Sequence, residues 1–186
     1  MEFSEIALNI YPLSADALEL LESIVQQINV PKNHILIEAG KAAPFIYFQM
    51  EGISRIYYHK EHKEVILGFT FPSDVLISLK NYSIQEKGYE SIQTLEPSIL
   101  YQIPIKALQL LYDQSLEIAN WGRKLAEIEA LKIESRLMLR LFNSSNERYL
   151  ELLKKAPDLT NRIKLGYIAS YLGISQVTLS RIRGIK

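Results

Sequence analysis

The residues best placed to do chemistry lie near the C-terminal end. Ala169, Gly173, Leu179 and Ile182 stand at relative positions 1, 5, 11 and 14. That spacing suits two short helices joined by a tight turn. The small alanine lets the second helix approach the first, the glycine tolerates a positive φ in the turn, and the two aliphatics lock the pair together. Ile168, Leu172 and Ile174 supply the remaining apolar contacts. Ser175 is placed to cap the second helix. The exposed face of that helix carries Ser175, Gln176, Thr178, Ser180 and Arg181. Glutamine can bond adenine at two atoms, and arginine can grip guanine O6 and N7. Lys164, Arg162, Tyr167 and Arg183 are candidates for phosphate contacts, which set affinity rather than sequence preference. A helical hairpin that only packs against protein would share the apolar spacing, but it needs neither the polar face nor basic surroundings.

The surroundings are basic although the chain as a whole is not. Its 186 residues include 21 basic and 21 acidic side chains, a formal charge of zero. Residues 1–112 hold 8 basic and 13 acidic side chains, residues 113–142 hold 5 of each, and residues 143–186 hold 8 basic and 3 acidic. No acid follows Asp158, whereas Arg162, Lys164, Arg181, Arg183 and Lys186 do. An uneven distribution of this kind points to double-stranded DNA as a partner of the C-terminal segment.

Other classes are excluded by what the chain lacks. It has no cysteine, so it has no disulfide, thiolate metal site, iron–sulfur centre or cysteine nucleophile. With 48% apolar and 23% charged residues, the composition is that of an ordinary folded protein. Met1-Glu2-Phe3-Ser4-Glu5 is acidic where a secretory leader is basic, and no apolar run approaches the roughly 18 residues of a membrane span. A cytoplasmic protein with no membrane partner is expected. His59 and His62 flank Lys60-Glu61 without a third ligand and read as an exposed turn, and His34 is a lone strand residue. No Ser-His-Asp arrangement, phosphate loop or pair of catalytic carboxylates has a suitable context. The expectation is a non-enzyme without metal or cofactor.

Several elements must position the C-terminal hairpin. Ser14 can cap a first helix, on which Leu18, Leu21, Val25 and Ile28 recur at helical spacing. After Pro31 the pattern changes to short runs rich in Ile, Val, Tyr and Phe: residues 34–38, 45–50, 53–59, 65–71, 90–95 and 99–103. Gly40, Gly52, Pro72-Ser73 and Glu96-Pro97 punctuate them. About seven such strands predict a small antiparallel barrel or sandwich. Pro104 suits the first turn of a short helix. A long helix is predicted over residues 114–142, interrupted only by Gly122 and carrying an apolar stripe of Leu116, Ala119, Leu125, Ile128, Leu131, Leu137 and Leu141. At 1.5 Å per residue it would run about 43 Å, longer than the domain before it, so pairing with the same helix of a second copy is expected. Asn143-Ser144-Ser145 ends it and caps a helix over residues 146–155. Residues 156–158 end that helix, and two short helices follow over residues 160–186.

In this order the chain resembles the Crp/Fnr family of transcription regulators. The residues that carry the resemblance are Glu147-Arg-Tyr-Leu-Glu-Leu-Leu153 followed by Pro157, Ile168-Ala-Ser-Tyr-Leu-Gly-Ile174, and Thr178-Leu-Ser-Arg-Ile-Arg183. Gly40 and Gly52, with an aromatic-aliphatic strand between them, are similar to the start of that family's β-roll. The resemblance implies an α+β protein with a cyclic-nucleotide-binding-like β-roll over 1–112, a dimerisation helix over 113–142 and a helix-turn-helix DNA-binding domain over 143–186. It also implies a homodimer through the long helix.

The sequence departs from the family at two places. Cyclic-nucleotide binders of this fold use a Gly-Glu pair and a later Arg to hold the cyclic phosphate and ribose. Phe71-Pro-Ser-Asp74 resembles the entry to that cassette, but Ile77-Ser78 stand where Gly-Glu is expected. Gly88 falls near the Arg position with Tyr89 and Glu90 beside it, in a register that stays open by one residue. An acid there repels a phosphate, and Lys87 is the one nearby cation that could replace the Arg. Cyclic AMP binding is therefore not expected, and the pocket either takes another small effector or has collapsed. Tyr47, Tyr57, Tyr58, Phe69 and Tyr82 either line it or form plain core. The family's recognition helix is followed by a β-hairpin wing. This sequence stops at Lys186, so the wing is absent or lies beyond the sequence read, and its lack would weaken DNA affinity. The alternative reading is a small-ligand or protein-binding module whose helical C-terminus does not bind DNA.

Overall fold

The protein is described from a computed structural model, which covers residues 2–61 and 63–184. His62 and Lys186, named in the turn and the basic tail above, lie outside the described residues. Two short helices open the chain, α1 (Phe3–Ile10) and α2 (Ala15–Glu22). The first was not predicted. Its cap is a reciprocal pair of acids, with Glu2 N–H donating to Glu5 Oε2 at 3.0 Å, in place of the usual Ser or Asn. Ser14 caps the second helix as expected, its Oγ accepting from Ala17 N at 3.3 Å.

The helix after Ser14 ends sooner than its apolar spacing predicts. Ser23 closes it, Val25 lies in the following turn, and Ile28 belongs to strand β1 (Gln26–Val30). The physical reason is tertiary. Ile28 pairs opposite Leu100 in an antiparallel ladder, and five paired residues outweigh one more turn of helix.

The remaining strands are β2 (Ile35–Ile37), β3 (Phe45–Glu51), β4 (Ser54–Lys60), β5 (Lys63–Thr70), β6 (Val75–Leu76), β7 (Ser91–Thr94) and β8 (Ser98–Pro104). They form two four-stranded sheets in the orders β1-β8-β3-β6 and β2-β7-β4-β5, with antiparallel pairing throughout. Alternation along each strand decides which core it feeds. Tyr47 and Leu100 of the first sheet meet Ile37 and Ile92 of the second inside the roll. Ile46, Phe48, Tyr101 and Ile103 point the other way, onto helices. Because β3 and β8 are buried on both faces, they read as continuous apolar runs.

A short α3 (Leu79–Ile84) precedes β7, and α4 (Ile105–Gln114) follows β8 with Pro104 at its N-cap. The long helix α5 (Leu116–Phe142) has 27 residues, about 40 Å at 1.5 Å per residue. It starts two residues later than predicted because Ser115 Oγ accepts from Ile118 N at 3.4 Å and caps it there. Its first half is locked to the outer face of the first sheet by Ile118, Trp121 and Leu125. Gly122 permits this approach, since a Cβ there would fall 2.4 Å from the Tyr112 ring of α4. Beyond Leu125 the predicted stripe is left uncovered, with Leu131, Leu137 and Leu141 all exposed, and Ile133, Met138 and Phe142 beside them.

Four helices complete the chain: α6 (Ser145–Lys155), α7 (Leu159–Arg162), α8 (Leu165–Leu172) and α9 (Gln176–Gly184). Ser144 and Glu147 form a capping box at the start of α6. The last segment thus contains a one-turn helix, α7, that was not predicted, in addition to the two expected; four residues are too short to show a period. Among the described residues no helix is long and apolar enough to cross a membrane.

Candidate DNA-reading surface and effector cassette

The two-helix motif forms as its spacing requires. Ile168, Ala169, Leu172 and Leu179 are buried together with Tyr149, Leu152 and Leu159, and Ile174 and Ile182 pack against them half-buried. Gly173 takes φ +68° and caps α8, while Ile174 N–H returns to Ala169 O at 3.0 Å. Ser175 caps α9, accepting from Thr178 N at 3.1 Å, and its hydroxyl also meets that of Thr178 at 2.9 Å. Ser175, Gln176, Ser180, Arg181 and Arg183 are exposed, and Thr178 is half-buried. The Gln176 amide lies back toward α8, with Nε2 2.8 Å from where a Cβ on Gly166 would stand. Val177 shares the exposed face at 62% exposure. It is not among the candidates named from sequence, and its place between Gln176 and Thr178 is the signal that marks it.

Three of the four candidate phosphate contacts have specific surroundings. Lys164 is exposed, with its Nζ 5.8 Å from the centre of the Tyr167 ring. Arg162 is engaged by the β-roll. Its guanidinium makes a two-point ion pair with Glu96, in the turn between β7 and β8, and reaches Asp158 at 3.5 Å. Hydrogen bonding to Glu96 holds its pKa above that of a free arginine. Tyr167 is also turned to the roll, with the Arg55 guanidinium 4.3 Å from its ring centre. That arginine is almost fully buried; it bonds Gln93 at 3.0 Å and Glu64 at 2.5 and 3.2 Å, and stacks on Tyr57 at 4.1 Å. Neither Arg55 nor Glu96 could be tied to this junction from sequence, because each is more than 60 positions from its partner.

A further bond joins the two parts at the free edge of β5. Ser170 Oγ of α8 accepts from Ile66 N at 3.0 Å and lies 3.3 Å from Glu64 O, to which it donates. Burial pushes the pKa of the adjacent Tyr171 hydroxyl upward, against the smaller opposing effect of Arg136. Its ring lies 5.4 Å from that of Phe69 on β5.

Of the candidate cassette residues, the structure brings Ser78, Gly88 and Glu90 together. Ser78 and Gly88 are buried, Glu90 is 7% exposed, Ile77 is half-buried and Tyr89 is exposed. A Cβ on Gly88 would fall 2.3 Å from Ser78 Oγ and 2.8 Å from Glu90 Oε1. The space inside Gly88 is thus filled by a hydroxyl and a carboxylate. Glu90 Oε2 accepts from Tyr89 N at 3.1 Å, taking up a backbone donor of the kind that a bound phosphate uses. Tyr89 itself packs edge-on to Tyr58, with ring centres 6.0 Å apart. Lys87 is exposed.

Residues 27–115 match the cyclic nucleotide-binding domain. Three solved structures extend the likeness over nearly the whole chain. FixK2 from Bradyrhizobium japonicum shares 15% identity at a TM-score of 0.75, covering 87% of this chain and 83% of its own. A protein from Eubacterium rectale, assigned to the Crp/Fnr family of transcriptional regulators, shares 19% at 0.72, covering 94% and 85%. CLP from Xanthomonas campestris, described as a c-di-GMP-responsive global regulator, shares 15% at 0.70, covering 92% and 90%. The fold is that of the Crp/Fnr regulators. No curated protein sequence matches the chain. In this Crp/Fnr-type fold the roll and the helical end are joined through β5, and α9 is left on the surface.

The turn between α8 and α9 generates a prediction. Gly173→Ala forces a Cβ into left-handed backbone at a cost of about 1–2 kcal/mol, and Gly173→Asn, which tolerates that region better, costs less. Urea unfolding of the two variants should rank them in that order.

Proposed function

We propose that the chain is a homodimeric DNA-binding transcription regulator whose cassette does not take cyclic AMP. The observation that carries this reading is the α8–Gly173–α9 unit, with Gln176, Val177, Ser180 and Arg181 exposed on one helix in a segment free of acids after Asp158. Gln176 suits adenine, Arg181 suits guanine, and Val177 suits a thymine methyl. Gln176 reaches a base by swinging off Gly166, an exposed rotamer change of the picosecond-to-nanosecond kind. Lys164 and Arg183 are exposed and form no ion pair among the described residues, which suits a phosphate contact. Arg162 and Tyr167 join them once the junction with the roll opens.

The uncovered second half of α5 supports the dimer. Leu137, Leu141 and Phe142 are 51%, 62% and 79% exposed, a continuous apolar stripe that a second copy of the helix would cover. Pairing of this kind places two recognition helices on successive major-groove turns, roughly 34–36 Å apart. Glu90 supports the negative part of the reading, since a buried carboxylate at the cassette opposes a second anion. The unidentified effector, if the roll takes one, is not a cyclic nucleotide.

Three outcomes are expected. Gln176→Ala and Arg181→Ala should each cost about 1–3 kcal/mol in operator affinity and relax preference at single base pairs; unchanged footprints for both would remove α9 from the reading role. Sedimentation velocity should show a dimer for the chain and a monomer for Leu137→Glu. Calorimetry with cyclic AMP should show no binding, and micromolar or tighter affinity would overturn the reading of the cassette.

A further inference from the structure

The second half of α5 has another side, and it is charged. Lys132, Arg136 and Arg140 recur every four residues and so share one face. That face is distinct from the one carrying Leu137 and Leu141, which lie about a third of a turn around at 3.6 residues per turn. The fold sets it opposite β5, and α6 closes one end with Arg148 and Lys155. Together these elements enclose a groove of about 700 Å³ whose apolar walls include Ile66, Phe69, Phe71, Leu139 and Leu152.

The cations around the groove are unevenly neutralised. Lys132 is committed, standing 2.8 Å from both Asp74 and Glu129. The other groove-lining acid, Glu151, is drawn outward to Lys154 at 2.5 Å. Arg136 donates only to the carbonyls of Leu67 and Lys132, at 3.4 and 3.3 Å. Arg148 donates only to those of Asn143 and Leu172, at 2.6 and 2.9 Å. Carbonyls satisfy hydrogen bonds but leave the positive charge uncompensated. Among the described residues Arg140 and Lys155 have no hydrogen-bond or ion-pair partner. Four cations without a counter-ion thus rim a cleft with apolar walls, where low-dielectric surroundings strengthen their field.

The geometry points to a binding site for an amphipathic anion, an oxyanion head on an apolar body. Guanidinium groups match carboxylate and phosphate oxygens in pairs, the apolar walls take the body, and the volume falls within the range of small-molecule sites. A bare inorganic anion leaves the walls wet, and a neutral lipid leaves the cations unmatched. The site lies outside the candidate cassette, and of the exposed apolar residues of α5 it borders Leu131 but not Leu137, Leu141 or Phe142. It touches β5, α5 and α6, so a ligand there holds the roll, the long helix and the helical end together. Its existence does not depend on whether α9 reads DNA.

The test uses the full chain and anilinonaphthalene sulfonate, an aromatic anion that fluoresces on leaving water. One saturable site per chain is expected. Decanoate and decyl phosphate are the competing probes, and the one that displaces the dye at lower concentration identifies the head group. Decanol, with the same body and no charge, should not displace it. Arg136→Gln and Arg140→Gln should each weaken dye binding by about tenfold, the scale of one charge-assisted hydrogen bond. Lys106→Gln, an exposed cation away from the groove, should leave it unchanged. Should Arg136→Gln lower the melting temperature, Arg140→Gln still decides, because Arg140 has no hydrogen-bond or ion-pair partner among the described residues. Displacement by decanol as readily as by decanoate, several equivalent dye sites, or full affinity in a normally melting Arg140→Gln would overturn the site.

Discussion

Trp121 sets the frame for everything beyond the β-roll. It is fully buried against Phe48 of β3, and its indole N–H reaches across to Ala7 O of α1 at 3.0 Å. With Ile118 and Leu125 it fixes the first two turns of α5 to the outer face of the first sheet. A helix held over its first half projects its second half as a nearly rigid rod, since each residue added to a formed helix brings one more internal hydrogen bond. The direction of that rod decides where the uncovered leucines, the basic face and the C-terminal helices lie. Gly122 belongs to the same constraint, because any side chain there would push α5 off Tyr112.

The junction between the roll and the helical end solves a second problem. β5 is an edge strand, and an edge leaves a row of unpaired backbone groups. Ser170 takes one of those amides, Arg55 stacks its guanidinium on Tyr167, and Arg162 reaches Glu96. One of these contacts, Arg162 with Glu96, pairs a basic residue of the helical end with an acid of the roll. Arg162 and Tyr167, two of the candidate phosphate contacts, are thus engaged by protein in this arrangement.

The candidate reading unit was legible because every signal for it is local. The small residue, the glycine, the capping serine and the apolar pair all fall within the 15 residues from Ser170 to Gly184 and the alanine just before, and each acts through the chain's own turn geometry. The expected departure of the cassette likewise rests on residue types alone, Ile77-Ser78 standing where the resemblance implies Gly-Glu, and Glu90 beside the place it implies for Arg. Elements that depend on distant partners were not. α1 has no ordinary cap, and the start of β1 is hidden because Val25 and Ile28 continue a helical period that ends only where β8 pairs with Ile28. β6, with two residues, has no pattern to read.

By itself the amino-acid order determined the succession of roll, long helix and two-helix turn, together with the acidic-to-basic gradient, because propensity, capping and charge are properties of neighbouring residues. Only the tertiary structure decided which half of α5 is covered, that Arg55 is buried between two tyrosines, and that Glu90 fills the space inside Gly88. It alone gathered Arg136, Arg140, Arg148 and Lys155 around one apolar groove. Those outcomes follow from burial and from residues brought close across long stretches of chain, such as Arg148 with Leu172, Glu96 with Arg162 and Arg55 with Tyr167. Packing of separate elements, not local preference, sets which charges find a counter-ion and which are left to bind something else.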